Sequence, residues 1–128
     1  MINVTAAIIT RDDTVFIAQK GAQARFAHKW DFPGGKIEDG ELPEECVVRE
    51  LFEEFGIEIK VLGYFAESIH TFPEGQLRIF AYYCQWISGE ITPTEHEDYK
   101  WAPVRALHTF EFAPADIPLA KKLMAQTE

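Results

Sequence analysis

Three glutamates, Glu50, Glu53 and Glu54, stand at i, i+3 and i+4 in the chain. On a helix that spacing puts them on one face, where like charges destabilise it by roughly a few tenths of a kcal/mol per pair. A solvated helix face more often alternates its signs. Hard oxygen ligands converging on one point instead suit Mg2+, or Mn2+ in its place, ions that keep several waters and bridge to phosphate oxygens. An acidic surface patch has the same composition, so the neighbouring residues must decide between the two. The nearest of them form a tight turn, Pro33-Gly34-Gly35, just upstream.

The acids need a helix to carry them. Pro43 suits its first turn, Glu44 and Glu45 favour the positive end of its dipole, and Gly56 stops it. Val47, Leu51 and Phe55 recur at i, i+4 and i+8 with Val48 and Phe52 beside them, an apolar stripe expected to lie opposite the acids. Ahead of this helix, residues Ile2 to Thr10 read as a buried strand, Arg11-Asp12-Asp13 as a turn and Thr14 to Gln19 as the returning strand. Gly21 to Lys29 reads as a loop and Trp30-Asp31-Phe32 as a short extended piece. Behind it, Ile57 to His70 and Leu77 to Ile87 are strand-like, reversing through Phe72-Pro73-Glu74-Gly75. Thr92 to Asp98 is a polar loop, Tyr99 to Val104 a short strand, and Ile117 to Gln126 a closing helix with Leu119, Leu123 and Met124 inward. Interleaved strands and helices predict an α/β fold with a mixed sheet covered by helices, in a single domain over residues 1–128.

Composition narrows the class. With 47% hydrophobic residues in 128, the chain can bury a core of its own. A formal net charge of −9 argues against a duplex nucleic-acid binder, which needs a basic stripe. The same charge repels a polyphosphate unless a divalent cation inverts the local field. Cys46 and Cys84 are far apart among apolar neighbours and read as buried thiols in a reducing cytoplasm. No leader pattern and no membrane-length apolar run is visible, so no membrane partner is expected.

From Gly35 the sequence runs five residues to Glu41, seven more to Arg49-Glu50-Leu51, then Phe52, Glu53-Glu54, Phe55, Gly56 and Ile57. This matches every defined position of the Nudix box, and the chain resembles the Nudix hydrolases. The resemblance implies an α/β/α sandwich and hydrolysis of a nucleoside diphosphate linked to another group. It implies that Glu50, Glu53 and Glu54 bind the metal, with the backbone carbonyl of Gly34 a further ligand. Arg49 is similar to the box arginine that pairs with an acid and orients the site, a role compatible with an ion pair to Glu45 or Glu53. Glu41 resembles the box's first, structural glutamate. The metal neutralises phosphate charge while a carboxylate takes the proton of the attacking water. That base is either a box glutamate or a later loop acid, where Glu95, Glu97 and Asp98 compete and Glu95 lies where MutT-type members carry one.

Further likeness surrounds the box. Trp30-Asp31-Phe32-Pro33-Gly34-Gly35-Lys36-Ile37-Glu38 is similar to the approach segment of MutT-type nucleoside triphosphate pyrophosphohydrolases, which places Lys36 among the substrate-binding candidates. Ala113-Pro114-Ala115-Asp116-Ile117-Pro118 looks like the CTP pyrophosphohydrolase branch. In that resemblance Asp116 reads the base, accepting from an exocyclic amine when ionised or donating when burial keeps it protonated; it could also cap the last helix. Lys20 and Arg25 fall at nucleotide-contacting positions, and Phe32 and Phe72 are either stacking walls or core aromatics. Pro73 falls roughly at the marker proline of ADP-ribose enzymes, though a hairpin turn explains it better. The expected enzyme cuts CTP-like or oxidised nucleoside triphosphates to monophosphate and pyrophosphate, as a monomer or homodimer. The rivals are an ADP-ribose or dinucleoside polyphosphate hydrolase and a non-catalytic nucleotide-binding module.

Overall fold

The computed structural model describes residues 1–126; Thr127 and Glu128, the end of the expected domain span, lie outside the described residues. β1 (Ile2–Arg11) and β2 (Thr14–Lys20) form a hairpin in which Asp12 takes a φ of 56°, a left-handed position that a short polar side chain tolerates. The two strands pair only at Thr10↔Val15 and Arg11↔Thr14 and then part. β2 continues beside β3 (Trp30–Asp31) on one side and β6 (His96–Pro103) on the other. β1 runs parallel to β5 (Gly75–Ser88), which is antiparallel to β4 (Glu58–Phe72). The order is β3-β2-β1-β5-β4, with β6 on β2.

Alternate side chains leave a strand on opposite faces, so a strand apolar at every position must be covered twice. Ala6, Ile8, Val15, Ile17, Ile79 and Ala81 face a core closed by Leu119, Ala120 and Leu123 of α2 (Ile117–Gln126). Ala7, Ile9, Phe16, Ala18, Tyr82 and Cys84 face a second core closed by Val47, Leu51 and Phe55 of α1 (Pro43–Phe55). Helix, sheet and helix make three layers, the predicted sandwich. No helix among the described residues is long and apolar enough to cross a membrane.

α1 begins at Pro43, where the Glu45 carboxylate accepts the Leu42 N–H at 2.9 Å, and ends at Gly56 with φ 71°. Its apolar stripe is narrower than the sequence suggested. Phe52 is 65% exposed, while Val47, Leu51 and Phe55 are fully buried and Val48 packs at their edge. At about 100° per residue, Phe52 lies beyond one border of the stripe and Glu54 on the other border. The acids are therefore graded across the helix rather than set squarely opposite its core.

Other boundaries shift by a few residues. His96 to Asp98 belong to β6 instead of the expected loop, because they pair with Gln19 and Lys20 across a bulge. Two 3-10 segments, Val104–Thr109 and Pro114–Asp116, have no periodic apolar pattern to announce them. Phe72↔Gly75 pairing makes Pro73-Glu74 a tight hairpin turn, the role the sequence favoured for that proline. Leu51→Ala should destabilise the fold by about 2–5 kcal/mol, whereas Phe52→Ser should stay within about 0.5 kcal/mol of the parent. Urea unfolding of both variants checks the placement of the stripe.

Candidate active site

Because β2 leaves β1 after two pairs, the near half of β1 needs another partner. Residues 33–37 supply it. Ala7 N–H donates to the Pro33 carbonyl at 2.7 Å, Thr5 N–H to Gly35 at 2.8 Å, and Ile37 N–H to Asn3 at 3.0 Å. The approach is so close that a Cβ on Gly34 would meet the Thr5 carbonyl at 1.9 Å. A Cβ on Gly35 would lie 2.2 Å from the Glu50 carboxyl carbon. Two glycines thus let one loop lie against a strand on one side and a helix carboxylate on the other.

Arg49 ties the loop to the helix. Its Nε and Nη2 donate to the two Glu41 oxygens at 2.7 and 3.0 Å, a bidentate pair that holds the Glu41 carboxyl down to about 2. Nη2 also donates to the Lys36 carbonyl at 3.1 Å, and Nη1 to Glu50 at 3.1 Å and Glu53 at 2.9 Å. Of the two ion pairs expected for Arg49, the one with Glu53 forms, while Glu45 turns back to the helix start.

The exposure of the three acids follows their angle to the stripe: 13% for Glu54, 16% for Glu50 and 55% for Glu53. Burial pushes the Glu54 carboxyl well above the ordinary carboxylate range, and the charges of Glu50, Asp31 and Glu95 push the same way. The position in the last turn of α1 adds the negative end of the helix dipole, with no basic residue there to offset it. Among the described residues no three His, Cys, Asp or Glu side chains are drawn together into a ready metal cage. Glu50 and Glu54 interact directly, while Glu53 is held outward by Arg49. The oxygen donors and their excess negative charge nevertheless fit a divalent cation, which would relieve the repulsion that raises Glu54.

The segment after β5 brings the loop acid. Thr92 N–H donates to the Phe55 carbonyl at 2.9 Å, and the Thr94 N–H and hydroxyl both donate to Glu54's carbonyl, at 3.0 and 3.1 Å. These bonds satisfy carbonyls that the helix end leaves open and set Glu95 beside Glu54. Glu97 pairs instead with His28 at 2.8 Å, and Asp98 accepts the Tyr99 N–H at 2.8 Å. Of the three competing loop acids, Glu95 is the one near the helix acids.

Two residues absent from the sequence-derived site lie at its centre. Asp31 Oδ2 is 3.2 Å from His96 Nε2 and 3.7 Å from Lys20 Nζ, while buried Asp31 Oδ1 has no hydrogen-bond partner. A lone acid inside the apolar Trp30-Asp31-Phe32 run was the available signal for Asp31. His96 had none, being one polar residue among several in a stretch read as loop.

Of the remaining candidates all but Lys36 line two cavities that share Lys20 and Leu77. One, of about 230 Å3, is bounded by Asp31, Phe32, Gly34, Gly35 and Asp116. Asp116 is buried, and its Oδ1 accepts the Phe32 N–H at 3.0 Å across the fold. Burial first, then the Asp31 charge, holds its carboxyl far above 3.8. Phe32 itself is 3% exposed and stacked on Phe112 at 5.1 Å, so its ring belongs to the core as well as to the cavity wall. The other cavity, of about 260 Å3, is bounded by Arg25, Phe26 and Phe72. There the Arg25 guanidinium lies 4.3 Å over the Phe72 ring and pairs with Glu74. Lys36 lines neither cavity; its side chain is exposed and only its carbonyl is engaged, by Arg49 and Cys46.

The three-layer α/β/α fold thus gathers carboxylates at a Gly-Gly turn beside a cavity. The sequence matches the family described as "NUDIX domain" over residues 1–123, and the chain belongs to the Nudix family of hydrolases. Members of this family generally need divalent cations. The chain is 38% identical to the CTP pyrophosphohydrolase of Escherichia coli (strain K12), over 98% of this chain and 93% of that one. It is 35% identical to the 8-oxo-dGTP diphosphatase of the same strain, over 91% and 90% of the two chains. The solution structure of the E. coli ORF135 protein superposes with a TM-score of 0.86 at 36% identity, covering 99% of this chain and 91% of that one.

The raised Asp116 carboxyl has a consequence for stability. A carboxyl that binds its proton more tightly when folded stabilises most below its unfolded value of 3.8, and that contribution is lost as pH rises from there through the raised native value. The stability of the parent relative to Asp116→Asn should therefore fall as pH rises above 3.8. Urea unfolding across a pH series reads it, and a pH-independent difference would contradict the burial of an acid at this position.

Proposed function

We propose that this chain hydrolyses nucleoside triphosphates to monophosphate and pyrophosphate, using Mg2+ with Mn2+ as an alternative. The observation that carries the proposal is the crowding of Glu50, Glu54, Asp31 and Glu95 at the Gly34-Gly35 turn, next to a cavity that ends on buried Asp116. The full-length likeness to a CTP pyrophosphohydrolase and an 8-oxo-dGTP diphosphatase supports the same substrate class.

Glu50, Glu53, Glu54 and the Gly34 carbonyl would hold the cation, Glu53 after release from Arg49. When bound, a divalent ion supplies positive charge against the phosphate oxygens and makes water more acidic. Glu95, beside Glu54 and free of the pairs that occupy Glu97 and Asp98, accepts the proton of the attacking water. The water oxygen bonds to phosphorus, the anhydride bond breaks and pyrophosphate leaves. Arg49, fixed by both oxygens of Glu41, keeps Glu50 in reach of the turn. Lys20, shared by the two cavities, and Arg25 with Phe72 complete the walls that face the nucleotide.

Base selection falls to Asp116. One of its oxygens is engaged by the Phe32 N–H, and a neutral carboxyl can both donate and accept. That pairs with a base edge presenting a ring nitrogen acceptor next to an exocyclic amine, as cytosine does. An ionised Asp116 would only accept.

Glu54→Gln, which removes a charged ligand of the cation, should lower turnover by orders of magnitude without loss of the thermal transition. The assay follows pyrophosphate release from CTP, dCTP, 5-methyl-dCTP and 8-oxo-dGTP, with ADP-ribose as the competing substrate. Full activity of Glu54→Gln would remove the metal-site assignment. Preferred cleavage of ADP-ribose to AMP and ribose phosphate would replace the substrate class. An Asp116→Asn variant on the same panel should reorder the preferences, and an unchanged order would exclude base reading by Asp116.

A further inference from the structure

His96 is the most buried polar ring beside the acid cluster, with only 9% of its side chain exposed. Its register explains how it gets there. The bulge at Gln19/Lys20 pairs His96 with Lys20, and both side chains converge on Asp31 Oδ2, at 3.2 Å from His96 Nε2 and 3.7 Å from Lys20 Nζ. The opposite ring nitrogen, Nδ1, stands 3.7 Å from Glu54 Oε1 and has no hydrogen-bond partner. On its flat side the ring stacks on Phe55, with centroids 5.1 Å apart and planes 29° off parallel.

Phe55 directly follows Glu54 in α1, so the stack fixes the imidazole plane against the very turn that carries this carboxylate. A residue needed only to fill space here would be apolar, since an unpartnered buried nitrogen is a net cost. The nitrogens are instead aimed at two acids from different elements, one anchored and one just beyond bonding distance. We propose that His96 is a positioning residue that bridges Asp31 and Glu54 and sets the Glu54 carboxylate for the divalent cation. Nε2–H donates to Asp31 Oδ2 and fixes the ring, and a proton on Nδ1 would let the same ring donate to the Glu54 carboxylate as well. The inference rests on the assignment of Glu54 to the cation site in the proposed function.

The experiment measures Mn2+ binding to the nucleotide-free protein by the loss of the free-ion electron paramagnetic resonance signal, alongside thermal unfolding. Outer partners of metal ligands typically change affinity or activity by 10- to 100-fold. His96→Phe keeps the ring and its stack on Phe55 but removes both nitrogens, and its Mn2+ dissociation constant should rise by about that factor. His96→Gln retains one donor and one acceptor and should recover most of the affinity. If His96→Phe unfolds, His96→Gln against His96→Leu, compared below their transitions, carries the same contrast. Unchanged Mn2+ affinity in folded His96→Phe, or a loss that His96→Gln does not relieve, overturns the proposal. Glu54→Gln separates the two levels: if it too binds Mn2+ like the parent, the cation site itself is misassigned. If it alone loses binding, the cation site stands and the role of His96 falls.

Discussion

The approach of residues 33–37 to β1 is the constraint on which the site depends. β1 and β2 share only two residue pairs before they part, and the gap beside β1 is closed by the loop's own backbone hydrogen bonds. With no room for a Cβ at Gly34 or Gly35, the loop passes between a strand carbonyl and the Glu50 carboxylate. A larger residue at Gly34 would have to move the strand, and one at Gly35 would turn the Glu50 carboxylate away, since the helix itself is held by Val47, Leu51 and Phe55 in the core. The packing of an apolar stripe therefore dictates where the acids stand, and the two glycines dictate what stands next to them.

Placing several acids there has a cost that the fold distributes. Arg49 offsets part of it by binding Glu41, Glu50 and Glu53 together, while the loop through Thr92 and Thr94 satisfies the last carbonyls of α1. Glu54 remains the uncompensated member. It lies nearest the core, has Glu50, Asp31 and Glu95 as neighbours and faces no basic residue in its own turn. A surface patch of the same composition would leave its acids solvated and splayed. Of the three helix acids, the least solvated also has Glu50, Asp31 and Glu95 as like-charged neighbours, which is the condition a divalent cation reverses.

Much of this was legible in the sequence because periodicity and turn chemistry act locally. The helix from Pro43 with its stop at Gly56, the Ile117–Gln126 helix and both long strands follow from apolar spacing and from Gly and Pro. The three acids stood out by their spacing, while their role and that of Arg49 came with the resemblance to the Nudix box. Asp31 and His96 did not stand out, since their meeting depends on a bulge in the β2–β6 register and on a two-residue strand, neither of which has a period. Phe52 was misplaced for a related reason: an apolar residue one step past the stripe looks like part of it until the helix is docked. Lys36 was drawn in by its neighbours, yet it is the carbonyl and not the ammonium that the site uses.

Asp31 gives the arrangement its unity. Its charge is among the causes that raise both Glu54, at the acid cluster, and Asp116, at the far end of the adjoining cavity. Lys20 and His96 both approach its Oδ2, so the two groups that moderate it are also the ones that border the cavities and the helix acids. The acid-bearing helix α1 and the Pro114–Asp116 segment pack into different cores, one on each face of the sheet. A short strand carrying a single buried carboxylate is what lets the state of one end be felt at the other through electrostatics. The consequence is that the Glu54 and Asp116 carboxyls share one electrostatic neighbour although they belong to different cores. A change that neutralises Asp31 removes one of the charges that raise both carboxyls, leaving burial as the larger cause at each.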